Sequence, residues 1–339
     1  MSLSYRTRRH LRRLWMVLLV LALLATVALL VWLLWLNRFV IYTKDGVKLD
    51  FSITDSFLGG EAAGTEPPME SIYISYDPTQ PTEPPTTELQ QLAGYYIPAE
   101  DLKGDIQALK AQIAQLPAGT PIMLDVKNIK GEFYYSSNVG HPSAAVSQDA
   151  VDDLIAFLRD SDYHVIARLP ALRDYIFGLN NVPCGIFKVN IVALWMDEAR
   201  CYWLNPLADG TVQNLVRIIT ELRTLGFDEV VFYDFRIPES DQIRFEEDRN
   251  LAIASCAQTL VSACSSEKFT VSFVSTDPLF PLPDGRCRLY MENVSAEQLY
   301  DIEEQIVLSD PEKRLVFLTD SNDTRYQAFG VLRPLDTAH

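Results

Sequence analysis

The sequence predicts an α/β chain whose body is a (β/α)8 barrel, preceded by one N-terminal transmembrane helix and a Pro/Thr/Glu-rich stalk. Three observations predict it. Residues 14–36 form an uninterrupted apolar run, and residues 59–88 concentrate proline, threonine and glutamate. From residue 89 onward, eight short apolar runs alternate with stretches of helical period, the rhythm of a barrel of about 250 residues.

The first element is the apolar run LWMVLLVLALLATVALLVWLLWL, which carries no charge and is long enough to cross a bilayer core. A buried core helix would carry a polar stripe, and a signal peptide has a shorter apolar region before a small-residue cleavage site. Trp15, Trp32 and Trp35 stand near its ends as interface anchors. Arg6, Arg8, Arg9, Arg12 and Arg13 all precede it, which predicts a cytoplasmic N-terminal tail over residues 1–13 and an extracytoplasmic remainder of a single-pass cell-membrane protein. Residues 37–88 then read as a juxtamembrane β-hairpin centred on Asp45-Gly46, followed by the stalk, with a short strand possible only at 72–76.

Residues 89–339 hold the barrel. The strand candidates are 94–98, 121–128, 164–170, 201–206, 229–238, 269–277, 286–293 and 314–322. Helical period runs over 101–116, 147–159, 211–225 (closed by Gly226), 248–264 and 296–308, the last with Ser295 and Gln298 in capping-box positions. An open doubly wound sheet is the alternative, and the lack of a Gly-rich phosphate turn after the first strand weighs against it.

Composition narrows the function. With 48% apolar residues the chain can bury a core. The net charge is −16, and setting aside the five N-terminal arginines leaves 24 basic against 45 acidic residues, a balance opposed to nucleic-acid binding. Five cysteines, Cys184, Cys201, Cys256, Cys264 and Cys287, show no metal-binding spacing and read as buried small hydrophobes. Four histidines are too few and too scattered for a zinc site or a His-based triad, so neither a metal nor any other cofactor is expected. Asp277, Asp320 and Asp323 lack EF-hand spacing and read as a solvated acidic rim.

In a barrel of this kind, functional side chains gather at the C-terminal ends of the strands. Asp125, Lys127, Arg168, Asn205, Asp234, Arg236, Asp277, Glu292, Asn293, Asp320 and Asn322 fall in or at the ends of the predicted strands. Asp125/Lys127 and Asp234/Arg236 share an i, i+2 spacing that predicts acid and base on one face. Several carboxylates beside few nucleophiles suit glycoside hydrolysis, in which one carboxyl group protonates the leaving oxygen and another attacks or activates water. Trp195, Trp203, Tyr95 and Tyr134 lie near strand ends as candidate platforms for a sugar ring, although taken singly each reads as core packing.

Four segments resemble a bacterial glycosyl hydrolase family of extracytoplasmic (β/α)8 proteins. They are MLDVKNIKGEFYY (123–135), VIARLPALRDY (165–175), ALWMDEARCYWLNP (193–206) and LGFDEVVFYDFRIP (225–238), which occur in the family's order. The last departs from the family pattern. Phe-Asp-Tyr there is Phe232-Tyr233-Asp234 here, and on a regular strand a one-residue displacement aims the acid at the opposite face unless a bulge compensates. The resemblance implies that Asp125, Lys127, Arg168, Trp195, Asn205 and Arg236 line a site.

The expected function is a membrane-anchored hydrolase of a cell-envelope or environmental polysaccharide. Asp234 with either Asp125 or Glu292 supplies the carboxyl pair, and Lys127, Arg168, Trp195, Asn205, Arg236 and Asp320 contact substrate. The alternative is a barrel that binds carbohydrate or scaffolds at the cell surface without turnover, which the displaced acid favours. A signalling role is the weakest reading, because the 13 residues before the membrane segment are too few for an output domain.

Overall fold

The structure, a computed structural model, describes the backbone of residues 40–43 and 46–49, and residues 89–306 and 308–335. The chain divides into two compact units, 1–73 and 74–339. In the first, Val40–Thr43 and Gly46–Leu49 form an antiparallel hairpin. Thr43 pairs with Gly46, so Gly46 belongs to the second strand rather than to the turn that Asp45-Gly46 predicts. The expected transmembrane helix at 14–36, the cytoplasmic tail and the stalk lie outside the described residues, and among those described no helix is long and apolar enough to cross a membrane.

The second unit is a closed barrel of eight parallel strands in sequential order. They are β1 (Ala93–Ile97), β2 (Pro121–Asp125), β3 (His164–Pro170), β4 (Glu229–Tyr233), β5 (Thr270–Val274), β6 (Leu289–Glu292), β7 (Leu315–Leu318) and β8 (Gly330–Pro334). Each is nearly continuously apolar because a parallel strand is covered on both faces, by helices outside and by the lumen within. The outer helices include α1 (Ile106–Ile113), α2 (Gln148–Asp160), α3 (Tyr175–Asn180), α4 (Asp209–Leu225), α5 (Arg249–Cys264) and α6 (Leu299–Gln305). Side-chain caps fix three of these starts. Asp105 accepts from the Gln107 and Ala108 N–H groups, Asp174 from Phe177 and Asp248 from Leu251. Gly226 ends α4 in the left-handed conformation (φ 95°), as its position in the sequence predicts. At α6, Gln298 Oε1 accepts from the Ser295 N–H, yet the helix proper begins only at Leu299.

Two strand assignments change. Residues 201–206 are not the fourth barrel strand, since β3 pairs directly with β4. Their apolar run instead makes isolated antiparallel bridges, Arg173 with Trp203 and Gly185 with Leu204, within the long connection that follows β3. Trp203 and Leu204 are buried there, which explains why the run reads as a strand. The eighth strand is Gly330–Pro334, which closes the barrel against β1. Two crossovers carry no α-helix: the proline-rich 275–288 between β5 and β6, and a 3-10 turn, Thr324–Ala328, between β7 and β8.

Alternation sorts the barrel residues into layers. Leu92, Met123, Ile166, Val231, Tyr290, Val316 and Leu332 fill the middle of the lumen. Beneath them, at the N-terminal end, lies a polar floor. Glu229 pairs with Arg288, accepts from the Ser272 hydroxyl at 2.6 Å and the Tyr290 hydroxyl at 3.0 Å, and is completely buried. Above them Tyr96, Asp125, Arg168, Tyr233 and Glu292 point into the C-terminal mouth. Strands β1 and β2 approach closely at Gly94, where an added Cβ would stand 2.1 Å from the Pro121 carbonyl oxygen. Gly94→Ala is therefore expected to destabilise the barrel by about 1–3 kcal/mol, read as a lower denaturation midpoint.

All five cysteines are buried and free. Burial pushes the Cys256 thiol up to about 12 and the Cys264 thiol up to about 11, so neither supplies a thiolate at neutral pH.

Candidate functional site

The mouth is organised by Arg168, which projects inward from β3. Its Nη1 donates to Asp125 Oδ1 at 2.8 Å, and Nη2 and Nε both donate to Glu292 Oε1, at 2.6 and 3.0 Å. The guanidinium lies over the Tyr233 ring, 4.3 Å from its centroid, and 5.3 Å from that of Tyr96. Burial alone would lower the Arg168 pKa, but Asp125 and Glu292 outweigh it and hold the group protonated. Burial pushes the Tyr96 and Tyr233 hydroxyls far up, so both act as neutral hydrogen-bonding groups.

The two carboxylates on Arg168 differ in what remains free. Asp125 Oδ2 accepts from the Tyr96 hydroxyl at 2.8 Å and the Ala99 N–H at 3.1 Å, so both its oxygens are engaged. Glu292 meets Arg168 through Oε1 alone; among the described residues nothing donates to its Oε2, and its side chain is twice as exposed as that of Asp125, 25% against 13%.

Asp234 follows β4 directly. Phe232 before it and Phe235 after it pack into the helix-facing layer against Phe273, while Tyr233 faces the lumen beneath Arg168. Regular alternation would return Asp234 to the helix layer. It stands instead in the left-handed region (φ 51°), a conformation that aspartate and asparagine tolerate best among residues with a side chain. Its Oδ2 lies 3.4 Å from Arg173 Nη1. Asn293, immediately after Glu292, is left-handed as well (φ 57°), so the chain leaves β4 and β6 through the same backbone conformation.

Behind Asp234 stands a second set of groups. Arg173 Nη2 binds Asp197 Oδ2 at 2.6 Å, and the same oxygen accepts from Trp203 Nε1 at 2.9 Å. Asp197 Oδ1 accepts from the Cys201 N–H at 2.9 Å. Burial would raise the Asp197 carboxyl pKa; the bonds from Cys201 and Trp203 and the Arg173 charge more than reverse this and hold it below the usual range. Arg173 and Arg236 both lie over the Trp203 ring, at 5.6 and 5.2 Å.

Of the residues expected from sequence, Asp125, Arg168 and Glu292 come together and Asp234 stands at a strand end on the same mouth. Arg236 and Asp320 are exposed just past the ends of β4 and β7. Lys127 does not pair with Asp125. It lies beyond the end of β2, where alternation lapses, and its Nζ sits 2.6 Å from Asp174 with only 1% of the side chain exposed, fastening the N-cap of α3. Asn205 ends no strand; its Oδ1 accepts from the Leu207 N–H at 2.9 Å in the turn that leads into α4. Trp195 is half-buried against the outer core. Tyr134 is buried, with its hydroxyl pKa raised by burial and by Asp125, whereas Tyr95 is half-buried on the outward face of β1. Asp277 accepts from the Leu279 N–H and Asp323 is tied to Arg325, so these two rim acids have local partners. No cluster among the described residues is arranged to hold a metal ion.

Sequence reasoning missed Tyr96, Tyr233, Arg173 and Asp197. The last two sit inside the quoted motifs, in Leu172-Arg173-Asp174 and Trp195-Met196-Asp197; the tyrosines are hidden in apolar strands, where only strict alternation marks them as facing the lumen.

No curated protein matches the chain by sequence. Among solved structures, a hypothetical protein from Ruminiclostridium thermocellum ATCC 27405 is 20% identical with a TM-score of 0.46, the match covering 53% of this chain and 96% of that one. The glycoside hydrolase domain of PelA from Pseudomonas aeruginosa is 13% identical with a TM-score of 0.46, covering 74% and 98%. An exo-β-N-acetylglucosaminidase from Vibrio harveyi in complex with N-acetylglucosamine is 7% identical with a TM-score of 0.47, covering 73% of this chain but 50% of that protein. Likenesses this remote identify no residue of the site. A family model described as "Putative glycosyl hydrolase domain" matches residues 110–277, from α1 to just past β5. That stretch of the chain is similar to the glycosyl hydrolase domain family, where the four motifs between residues 123 and 238 lead one to expect it.

Proposed function

We propose that the barrel hydrolyses a glycosidic bond of a cell-envelope or environmental polysaccharide, with Glu292 and Asp234 as the working carboxyl pair. The observation that carries this reading is the free oxygen of Glu292 at a mouth where Asp125 is fully engaged. An acid/base or nucleophile must present an oxygen to the sugar, and Asp125 has none to spare. Asp125 therefore serves as an electrostatic anchor for Arg168, and Arg168 orients Glu292. Tyr233 supplies a neutral donor to a sugar hydroxyl, the Tyr96 proton being committed to Asp125, and the exposed Arg236 and Asp320 contact substrate farther out. The apolar run 14–36 supports anchoring in the cell membrane, with the arginine-rich tail inside and the barrel outside. No step of this chemistry requires a metal or cofactor.

The test uses the full chain in detergent, incubated with bacterial wall glycans and plant polysaccharides while new reducing ends are counted. The expected result is release by the wild type and none by Asp234→Asn or Glu292→Gln. The second reading, a barrel that binds glycan without cleaving it, draws on one observation: Tyr233 occupies the inward position where the family motif has its acid. Retention on one insoluble glycan with no new reducing ends from any form would establish that reading and exclude the first.

A further inference from the structure

We infer that Arg173 is a positioning residue, which holds the carboxylate of Asp234 toward the mouth in place of ordinary strand alternation. The inference rests on the proposed hydrolase reading only in treating Asp234 as a reacting group. Four observations carry it. First, Asp234 occupies a left-handed backbone conformation that is unfavourable relative to the extended strand, so something nearby must favour the arrangement. Second, Arg173 Nη1 is its sole hydrogen-bonding partner among the described residues, at 3.4 Å. Third, Arg173 cannot follow Asp234 into solvent. Its other arm, Nη2, is fixed to Asp197 at 2.6 Å, and Asp197 is in turn held by the Trp203 indole N–H and the Cys201 backbone. Fourth, Arg173 Nε is buried without a partner, a cost that the fork geometry accepts in order to aim Nη1 and Nη2 at two different carboxylates.

The assembly is a relay that runs from the buried Trp203 through Asp197 and Arg173 to Asp234. A lysine could satisfy one carboxylate or the other; the planar guanidinium reaches both. The relay starts in the connection after β3 and ends at β4, so it ties the acid to an element other than its own strand. Arg168 plays the corresponding part for Glu292, from β3 to β6.

The experiment compares the full chain with Arg173→Met and Arg173→Lys by carbodiimide labelling of carboxyl groups at one fixed pH, resolved residue by residue by peptide mass spectrometry. Asp234 is expected to label about two- to fivefold faster in Arg173→Met, the range that release of a partly exposed ion pair allows. Asp320, exposed and remote from Arg173, serves as the internal control and is expected not to change. Arg173→Lys is expected to recover part of the protection. On a cleaved glycan, kcat is expected to fall about 10- to 100-fold in Arg173→Met with KM within a few-fold, as misorientation of a reacting group predicts. If Arg173→Met does not fold, Arg173→Gln, which keeps a donor for Asp197, carries the same comparison. Unchanged labelling of Asp234 in a folded variant overturns the inference, as does an equal rise at Asp320. Faster labelling at Asp234 without any glycan cleavage by the wild type leaves Arg173 as the positioning residue of an inert cleft and rejects the hydrolase reading instead.

Discussion

Glu292→Gln is expected to lower kcat by about 10³-fold, the middle of the range lost when a positioned acid, base or nucleophile is removed. The substitution keeps the side chain's size and one carbonyl acceptor for Arg168, whose other carboxylate, Asp125, stays in place. Its effect on stability should therefore stay near 1 kcal/mol. Asp125→Asn is expected to behave in the opposite way. Three donors converge on Asp125, from Arg168, Tyr96 and the Ala99 N–H, and an amide group cannot accept all three. Stability should fall by about 2 kcal/mol, while the rate falls less than in Glu292→Gln because Asp125 has no free oxygen to offer a sugar. Initial rates of reducing-end release and urea denaturation midpoints of the two variants separate the roles. If Asp125→Asn proves the slower enzyme and Glu292→Gln the less stable protein, the assignments must be exchanged.

The barrel was legible because strands buried on both faces read as uninterrupted apolar runs whatever their neighbours, as in Ile122-Met123-Leu124 and Val230-Val231-Phe232. The same signal misled at 201–206, where Trp203 and Leu204 are buried by being laid across the connection after β3 rather than by joining the sheet. Gly330–Pro334 escaped notice because it is short, opens with glycine and ends with proline. Within the site, Asp125, Arg168 and Glu292 were readable from alternation close to a strand end. Beyond that end the loop's own geometry sets side-chain direction, so Lys127 and Asn205 went to local structural partners. The direction of Asp234 depends on a left-handed residue and on an arginine 61 positions away in sequence, and only the choice of Asp at that point hinted at the backbone.

Glu229→Gln, at the opposite end of the barrel, is expected to cost about 3–5 kcal/mol, because it leaves Arg288 buried without its counter-charge. The other Arg288 contacts, to the carbonyls of Gln90 and Lys313, are neutral and fix the guanidinium where it cannot turn to solvent. At the scale usual for a domain of this size, the melting temperature should fall by roughly 10 °C. Replacing both partners with apolar residues, Glu229→Leu with Arg288→Met, should recover most of the loss, since desolvating the pair offsets much of its attraction. The pH dependence provides an independent check. Burial would raise the Glu229 carboxyl, but Arg288, His164 and Ser272 outweigh it and the folded-state value is lowered from 4.5. A depressed carboxylate contributes stability that is fully present above its unfolded value and is lost as pH falls through the folded one. The difference in unfolding free energy between wild type and Glu229→Gln should thus be constant near neutrality and narrow once pH drops below 4.5. Asp228, the residue before it, is pushed up by its own burial, so it destabilises the fold above its folded value and that penalty is relieved as pH falls toward its unfolded value. Because both proteins retain Asp228, subtracting the two curves isolates Glu229. A gap that persists unchanged into acid would show that Glu229 serves the floor through shape and hydrogen bonding, with its charge contributing nothing.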